Sequence, residues 1–245
     1  MIAHSKQPTI LICKPEDDTD RSIEALLNAK NIFVHCISDS GRAIDHILEH
    51  VPELVLLDTA LPVIGGYEVC AAIRPTYTGP ILIQGYDSDE AAQLLAFERG
   101  ADDYVALPVS PVLLTARICA HLKRCLVSVA QTGDRLLQAG PLRIDPTRRE
   151  VSLSGEPLGL TTIQFDLLWY LAKRPGRVIS RKELYKALFN AQYKGFDRAV
   201  DVYISRLRRL LGDDEGNHQF IKTVRGVGYL FAPPLSDFTN PRASV

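Results

Sequence analysis

Arg198, Ser205, Arg206 and Arg209 are spaced so that, at about 100° per residue, a helix gathers them on one side. Guanidinium groups are permanently charged, planar donors that grip phosphate oxygens and base edges, so a row of them suits a polyanion. Val200, Ile204, Leu207 and Leu211 follow in steps of four, three and four and form an apolar stripe away from those arginines. One side can pack on a core while the other meets an anionic partner. An arginine-rich face is more often a solvated surface than a DNA reader, and the helix alone does not separate these readings. Further on, Ile221 to Leu230 reads as two short strands around a glycine turn, with Thr223, Arg225 and Tyr229 among the side chains.

A basic helix followed by a basic hairpin is the arrangement with which a winged helix holds a DNA duplex. Charge supports that choice. Residues 138–234 hold 16 Lys/Arg against 10 Asp/Glu, whereas residues 1–137 hold 11 against 18, an asymmetry that the net charge of −1 hides. A basic half beside an acidic one points to an anionic partner for the basic half. Elsewhere the reactive residue types do not assemble. The six histidines are scattered, no glycine loop cradles a phosphate, and no nucleophile stands by a base. No enzyme activity, cofactor or metal is expected.

The chain of 245 residues has room for two domains with their own cores. No apolar run approaches the ~20 residues that cross a bilayer, and the N-terminus lacks the apolar core of a signal peptide. A cytoplasmic protein without a membrane partner is expected. Cys13, Cys36, Cys70, Cys119 and Cys125 all lie in the acidic half, in no metal-binding spacing, and read as reduced thiols. Cys13, bordering the pocket described below, is the one considered for redox chemistry.

In the first half five apolar runs, at 9–13, 33–37, 54–58, 81–84 and 104–107, alternate with amphipathic segments. Such alternation predicts a doubly wound, five-stranded parallel sheet with helices on both faces, an α/β domain with its site at the carboxyl ends of the strands. Lys14, Pro15, Asp58, Gly85 and Leu107 stand at those ends.

Leu54-Val55-Leu56-Leu57-Asp58-Thr59-Ala60-Leu61-Pro62 with Gly66, and Gly100-Ala101-Asp102-Asp103-Tyr104 with Pro108, resemble a response-regulator receiver. The second half resembles the OmpR/PhoB winged-helix effector through Leu160-Thr161 with Phe165, Pro175-Gly176-Arg177-Val178-Ile179-Ser180-Arg181, Val200-Asp201-Val202-Tyr203-Ile204 and Thr223-Val224-Arg225-Gly226-Val227-Gly228-Tyr229. The resemblance implies a receiver over 1–125, a linker over 126–137, a winged helix-turn-helix DNA-binding domain over 138–235 and an unmatched, disordered tail over 236–245.

A receiver of this family holds Mg²⁺ on an acidic pair after the first strand and takes phosphate on an aspartate after the third. A hydroxyl after the fourth strand and a lysine after the fifth complete the pocket. Carboxylates hold the hard cation, and cation and ammonium neutralise the transferring phosphoryl. Here Asp58 matches the acceptor, but Lys14 and Pro15 stand for the acidic pair, Gly85 for the hydroxyl and Leu107 for the lysine. A pseudo-receiver acting without aspartyl phosphorylation is expected, which argues against a cognate histidine kinase. Recruiting Glu16, Asp17 and Asp18 would require a register slip in the first strand. Two arrangements remain for Lys14: its ammonium pairs with Asp58, or it reaches solvent while Asp58 binds water or loop amides.

The resemblance further implies a dimer face on the fourth helix, fifth strand and fifth helix. It is carried by Asp102, Asp103, Arg117, Lys123 and Arg124, with Tyr104 at the aromatic switch position and Gln93 and Leu113 replacing a charged pair. It implies double-stranded DNA half-sites as ligand, bound by Arg198, Val202, Tyr203, Ser205, Arg206, Arg208 and Arg209 in the major groove and by Thr223, Arg225 and Tyr229 on the wing. Val202 would meet a thymine methyl or simply pack. The segment 189–196 corresponds to the part through which family members contact RNA polymerase. Two other functions stay open: a conventional phosphorylation switch at Asp58 through a metal site of different make-up, and an adaptor whose pseudo-receiver binds a partner protein.

Overall fold

The computed structural model describes residues 7–18, 21–126, 136–189, 198–213, 218–233 and 238–239, with the side chains of Cys125, Leu126, Phe238 and Thr239 outside that description. The chain divides into two compact units, Met1–Leu126 and Val127–Val245.

In the first unit β1 (Thr9–Cys13), β2 (Phe33–Ile37), β3 (Leu54–Asp58), β4 (Ile81–Gly85) and β5 (Asp103–Ala106) form a sheet in the order β2-β1-β3-β4-β5. All four pairings are parallel. Strands buried on both faces need apolar residues at every position, and Leu54-Val55-Leu56-Leu57 supplies them. Alternate residues serve opposite faces. Leu11, Val55, Leu57, Ile81 and Ile83 pack on one side with Ala43 and Ile47 of α2 (Ser40–His50) and Val69 and Ile73 of α3 (Gly66–Ile73). Ile10, Ile12, Leu54, Leu56, Leu82 and Val105 pack on the other with Leu27 of α1 (Ser22–Asn28) and Leu114, Ile118 and Leu122 of α5 (Pro111–Leu126). Asp39 and Asp89 accept the free amides at the starts of α2 and α4 (Glu90–Arg99) through Arg42 N and Ala92 N. The order of strands reverses beside β1, so Lys14 and Asp58 stand at the switch point.

The second unit opens with a feature that the sequence reading did not foresee. Antiparallel strands β6 (Leu137–Ala139), β7 (Leu142–Asp145), β8 (Glu150–Leu153) and β9 (Glu156–Leu158) precede the helices. The expectation of a disordered tail over 236–245 is corrected at Phe238–Thr239, which form β13 and pair with Ala139 and Gln138 on the edge of β6. A capping box between Thr161 and Gln164 starts α6 (Thr162–Ala172). α7 (Arg181–Phe189) and α8 (Ala199–Leu210) follow the short β10 (Ile179–Ser180). A second sheet, β10-β12-β11, carries the hairpin of β11 (Ile221–Val224) and β12 (Gly228–Phe231). Linker residues 127–135 and most of the segment 189–196 lie outside the described residues. Among the described residues no helix is long and apolar enough to cross a membrane.

Candidate functional site

At the carboxyl end of the first sheet Asp58 is 5 % exposed. One carboxylate oxygen accepts from the Ala60 amide at 2.8 Å and the other from Gln84 Nε2 at 2.9 Å. Gln84 is the register partner of Asp58 on the neighbouring strand, which puts the two side chains on one face. The sequence reading missed Gln84; a polar residue closing the otherwise apolar run Ile81-Leu82-Ile83 was the available signal. The Gln84 Oε1 atom is buried without a partner among the described residues.

Lys14 follows β1 but does not pair with Asp58. Its ammonium lies 3.5 Å from Glu24 Oε1 and 3.8 Å from Asp18 Oδ1, and its side chain is largely covered. Asp58 instead follows the loop-amide arrangement, with Gln84 added. Cys13 aligns with Leu57 and Ile37, so β1 is in register and Lys14 and Pro15 hold the places after it. These residues do not fit a hard dication: a lysine and a proline replace the carboxylates, and an amide donor faces the remaining one. No three His, Cys, Asp or Glu side chains gather to hold a metal among the described residues. Burial pushes the Cys13 thiol up to about 12, with Cys36 adding to the rise, which suppresses the thiolate that redox chemistry would need.

Gly85 leaves space that other side chains fill. A Cβ there would lie 2.5 Å from Thr59 Oγ1 and 2.9 Å from the Tyr104 hydroxyl. Tyr104 points inward, buried, and its hydroxyl donates to the Asp87 carbonyl at 2.8 Å. Burial, with Tyr67 as hydrogen-bond partner, pushes its hydroxyl well above the usual tyrosine range. Leu107 donates its backbone amide to the Gly85 carbonyl at 2.7 Å and offers no charge to Asp58.

Two residues expected on a dimer face point into their own domain. Asp102, 1 % exposed, accepts from Arg74 Nη2 at 2.8 Å and from the Ile81 amide at 2.9 Å. Asp103 is buried, 2.9 Å from Arg117 Nη1 and 3.5 Å from His121 Nε2. Burial pushes its carboxyl up, but His121 and Arg117 together outweigh that and hold it below the usual range. Repeated acidic residues beside a strand do not reveal which way they point until the strand is placed. Lys123 is exposed and Arg124 partly so. Leu95, Val112 and Leu113 are exposed apolar side chains on α4 and α5.

In the second unit α8 buries Val200, Ile204 and Leu207, and Leu211 at its end, as the spacing predicted. Its polar side divides in two. Arg198, Val202, Arg206 and Arg209 lie within one sector, with Arg198 and Arg209 exposed. Asp201 and Arg208 instead turn to the hairpin, with the exposed Ser205 at the border between the sectors. Tyr203, expected at DNA, is 1 % exposed and belongs to the core, where its ring meets Phe189. Tyr229, also expected at DNA, is 4 % exposed, and its hydroxyl donates to Asp201 Oδ1 at 2.5 Å. Arg181, which the sequence reading left aside, donates from Nε to the same oxygen at 2.7 Å. Arg208 reaches the Ile221 carbonyl and, at 2.7 Å, the Thr223 hydroxyl.

Thr223 and Arg225 are exposed on the hairpin. The Val227 amide donates to the Val224 carbonyl at 3.0 Å, closing a turn in which Gly226 takes a φ of 74° that side chains disfavour. Gly228 acts differently: a Cβ there would collide with the Ile179 carbonyl of the neighbouring strand. Helix, turn and exposed cations together form a face that a duplex can occupy, guanidinium groups toward phosphates and grooves.

Comparison with known proteins agrees with this geometry. Residues 10–119 match the response regulator receiver domain and residues 155–231 match the transcriptional regulatory protein C-terminal domain. The transcriptional regulatory protein RstA of Escherichia coli (strain K12) is 38 % identical over 92 % of this chain and 98 % of its own length. The sensory transduction protein RegX3 of Mycolicibacterium smegmatis is 35 % identical over 90 % of this chain and 97 % of its own. Among solved structures, a single-residue mutant of RitR matches with a TM-score of 0.70 at 27 % identity, over 93 % of this chain and all of that one. Two matched domains in this order, a five-stranded parallel sheet and a basic helix beside a basic hairpin make this chain a member of the OmpR/PhoB family of response regulators, DNA-binding regulators of transcription.

Proposed function

We propose that this regulator binds promoter half-sites as a dimer without using phosphorylation of Asp58 as its switch. The observation that carries this reading is the Gln84 amide on Asp58 Oδ2, at 2.9 Å in a buried pocket. An acceptor aspartate must present an oxygen lone pair to a phosphodonor while cations neutralise the phosphoryl group. Here one oxygen accepts from a loop amide and the other from Gln84, neutral donors where cations would be needed, and the ammonium of Lys14 serves Glu24 and Asp18. Tyr104 is held inward by the Asp87 carbonyl, an arrangement of the chain's own groups that is consistent with an output independent of that modification.

On the DNA side, Arg198, Val202, Arg206 and Arg209 are the groove-facing set, Ser205 borders it, and Thr223 and Arg225 extend the contact to the wing. For dimerisation, the exposed Leu95, Val112 and Leu113 offer apolar area beside Lys123 and Arg124. RNA polymerase is proposed as a partner through the segment 189–196.

The decisive test is incubation of the purified protein with Mg²⁺ and acetyl phosphate, followed by intact-mass measurement with Asp58→Ala as control. An unmodified mass is expected. A phosphoryl adduct on the unaltered protein that the control lacks would overturn the proposal and make Asp58 the switch.

A further inference from the structure

Two residues expected to touch DNA instead tie the hairpin to α8, at points two helical turns apart. Toward the N-terminal end, Asp201 Oδ1 accepts from the Tyr229 hydroxyl at 2.5 Å and from Arg181 Nε at 2.7 Å. Arg181 Nη2 donates in turn to the Tyr229 hydroxyl at 3.2 Å, so that oxygen is both donor and acceptor. Toward the C-terminal end, Arg208 donates from Nε and Nη2 to the Ile221 carbonyl at 3.1 and 2.8 Å, and from Nη2 to the Thr223 hydroxyl at 2.7 Å. Thr223 and Tyr229 are opposite each other on β11 and β12, so both ties meet one cross-strand pair. The guanidinium carbons of Arg181 and Arg208 lie 4.9 and 5.8 Å from the centre of the Tyr229 ring.

Burial, with Asp201 as hydrogen-bond partner, pushes the Tyr229 hydroxyl up to about 12. An acidic residue in the first turn of a DNA-reading helix would otherwise repel phosphates, and Arg181 answers its charge.

We propose that Tyr229 and Arg208 are positioning residues for DNA binding: they hold the hairpin at a fixed offset from α8, so that Arg225 and the outward arginines engage the duplex together. The inference rests on DNA binding by this domain. Two contact elements on one rigid frame bind with the second contact already placed, whereas a loosened hairpin must be ordered at each encounter. Neither residue needs to touch DNA for this effect.

The test is fluorescence anisotropy of the full-length protein with a labelled mixed-sequence duplex of about three helical turns, over a salt series. Tyr229→Phe keeps ring and charge and removes only the hydroxyl; it should weaken binding about three- to tenfold, the scale of one hydrogen bond. The dependence on salt should stay as steep as in the unaltered protein, because no cation is lost. Arg225→Ala should instead flatten that slope by about one. Arg208→Lys should weaken binding although it keeps the charge, since one ammonium cannot reproduce the fork between a carbonyl and a hydroxyl. In an Arg225→Ala background Tyr229→Phe should have little further effect, which distinguishes positioning from general loss of structure.

If Tyr229→Phe and Arg208→Lys both bind as the unaltered protein does while Arg225→Ala is impaired, the positioning role is wrong. Equal weakening by Tyr229→Phe in both backgrounds, with a lowered melting temperature, would also overturn it. Absence of duplex binding by the unaltered protein would remove the DNA reading itself.

Discussion

Gln84 and Asp58 stand side by side on adjacent parallel strands, and the amide of one donates to the carboxylate of the other at 2.9 Å, both side chains buried. The pocket thus keeps an aspartate at the acceptor position but supplies it with a neutral donor.

Removing that donor should cost stability. Gln84→Leu leaves one Asp58 oxygen buried without a partner, a loss of about 1–3 kcal/mol. Replacing both residues by leucine should be milder than the single change, because no polar atom is then stranded. Urea unfolding midpoints of the two variants give the comparison, and equal midpoints would show that the bond adds nothing.

Asp102 makes a sharper case. Its partner Arg74 is itself largely buried, and the Ile81 amide shares the same oxygen. Asp102→Ala should destabilise the first unit by about 3–5 kcal/mol, the scale of breaking a buried ion pair from one side. Thermal unfolding followed by circular dichroism is the check; a loss of less than about 1 kcal/mol, as for an exposed pair, would contradict its inward placement.

Stability should fall as pH drops through the ordinary histidine value. The His46 ring is stacked between His35 and His50, with centroids 4.5 and 4.2 Å away. Burial and then its two neighbours lower its pKa, with Glu49 opposing them. A histidine whose folded pKa lies below its unfolded value binds fewer protons when folded. Its penalty is absent at neutral pH and grows as pH falls through the unfolded value of about 6.5 toward the lowered one. The decline in melting temperature from neutral to mildly acidic pH should be shallower in His46→Asn than in the unaltered protein. A parallel decline in both would assign the effect to other groups.

The two tyrosines and the outward arginines should separate cleanly in binding assays. Tyr203→Phe alters a core ring that duplex DNA does not reach and should leave affinity within about twofold. Arg209→Ala should weaken duplex binding and reduce the salt slope by about one, as loss of a phosphate contact does. Salt-dependent anisotropy measures both, and an unchanged slope for Arg209→Ala would take that side chain off the DNA face.

The parts legible in the sequence were those set by local pattern. Runs such as Leu54–Asp58 and the stripe Val200, Ile204, Leu207 and Leu211 carry their own periodicity, and the structure places them as that periodicity requires. The strands from Leu137 to Leu158 were not read, although Leu142 and Ile144 alternate inward and Ser154-Gly155 make a turn with both φ angles positive. Short strands of three or four residues give too few alternations to stand out. Asp102 and Tyr229 were misplaced for a different reason. Each sits in a motif whose membership was plain, but the partner that turns its side chain inward, Arg74 or Asp201, is distant in sequence. Arg208 is half-buried and bridges to the Ile221 carbonyl on the hairpin, a contact that no local pattern announces. Tyr203, by contrast, falls on the apolar stripe itself, three residues after Val200 and four before Leu207, so helix phase alone marks it as core.

The pairing of Phe238 and Thr239 with Ala139 and Gln138 brings the last strand of the second unit against its first. That domain is therefore nearly a closed ring of chain. A short linker could join its two ends and new termini could be opened at the Ser154-Gly155 turn, giving a circular permutant that keeps the DNA-facing helix and hairpin contiguous.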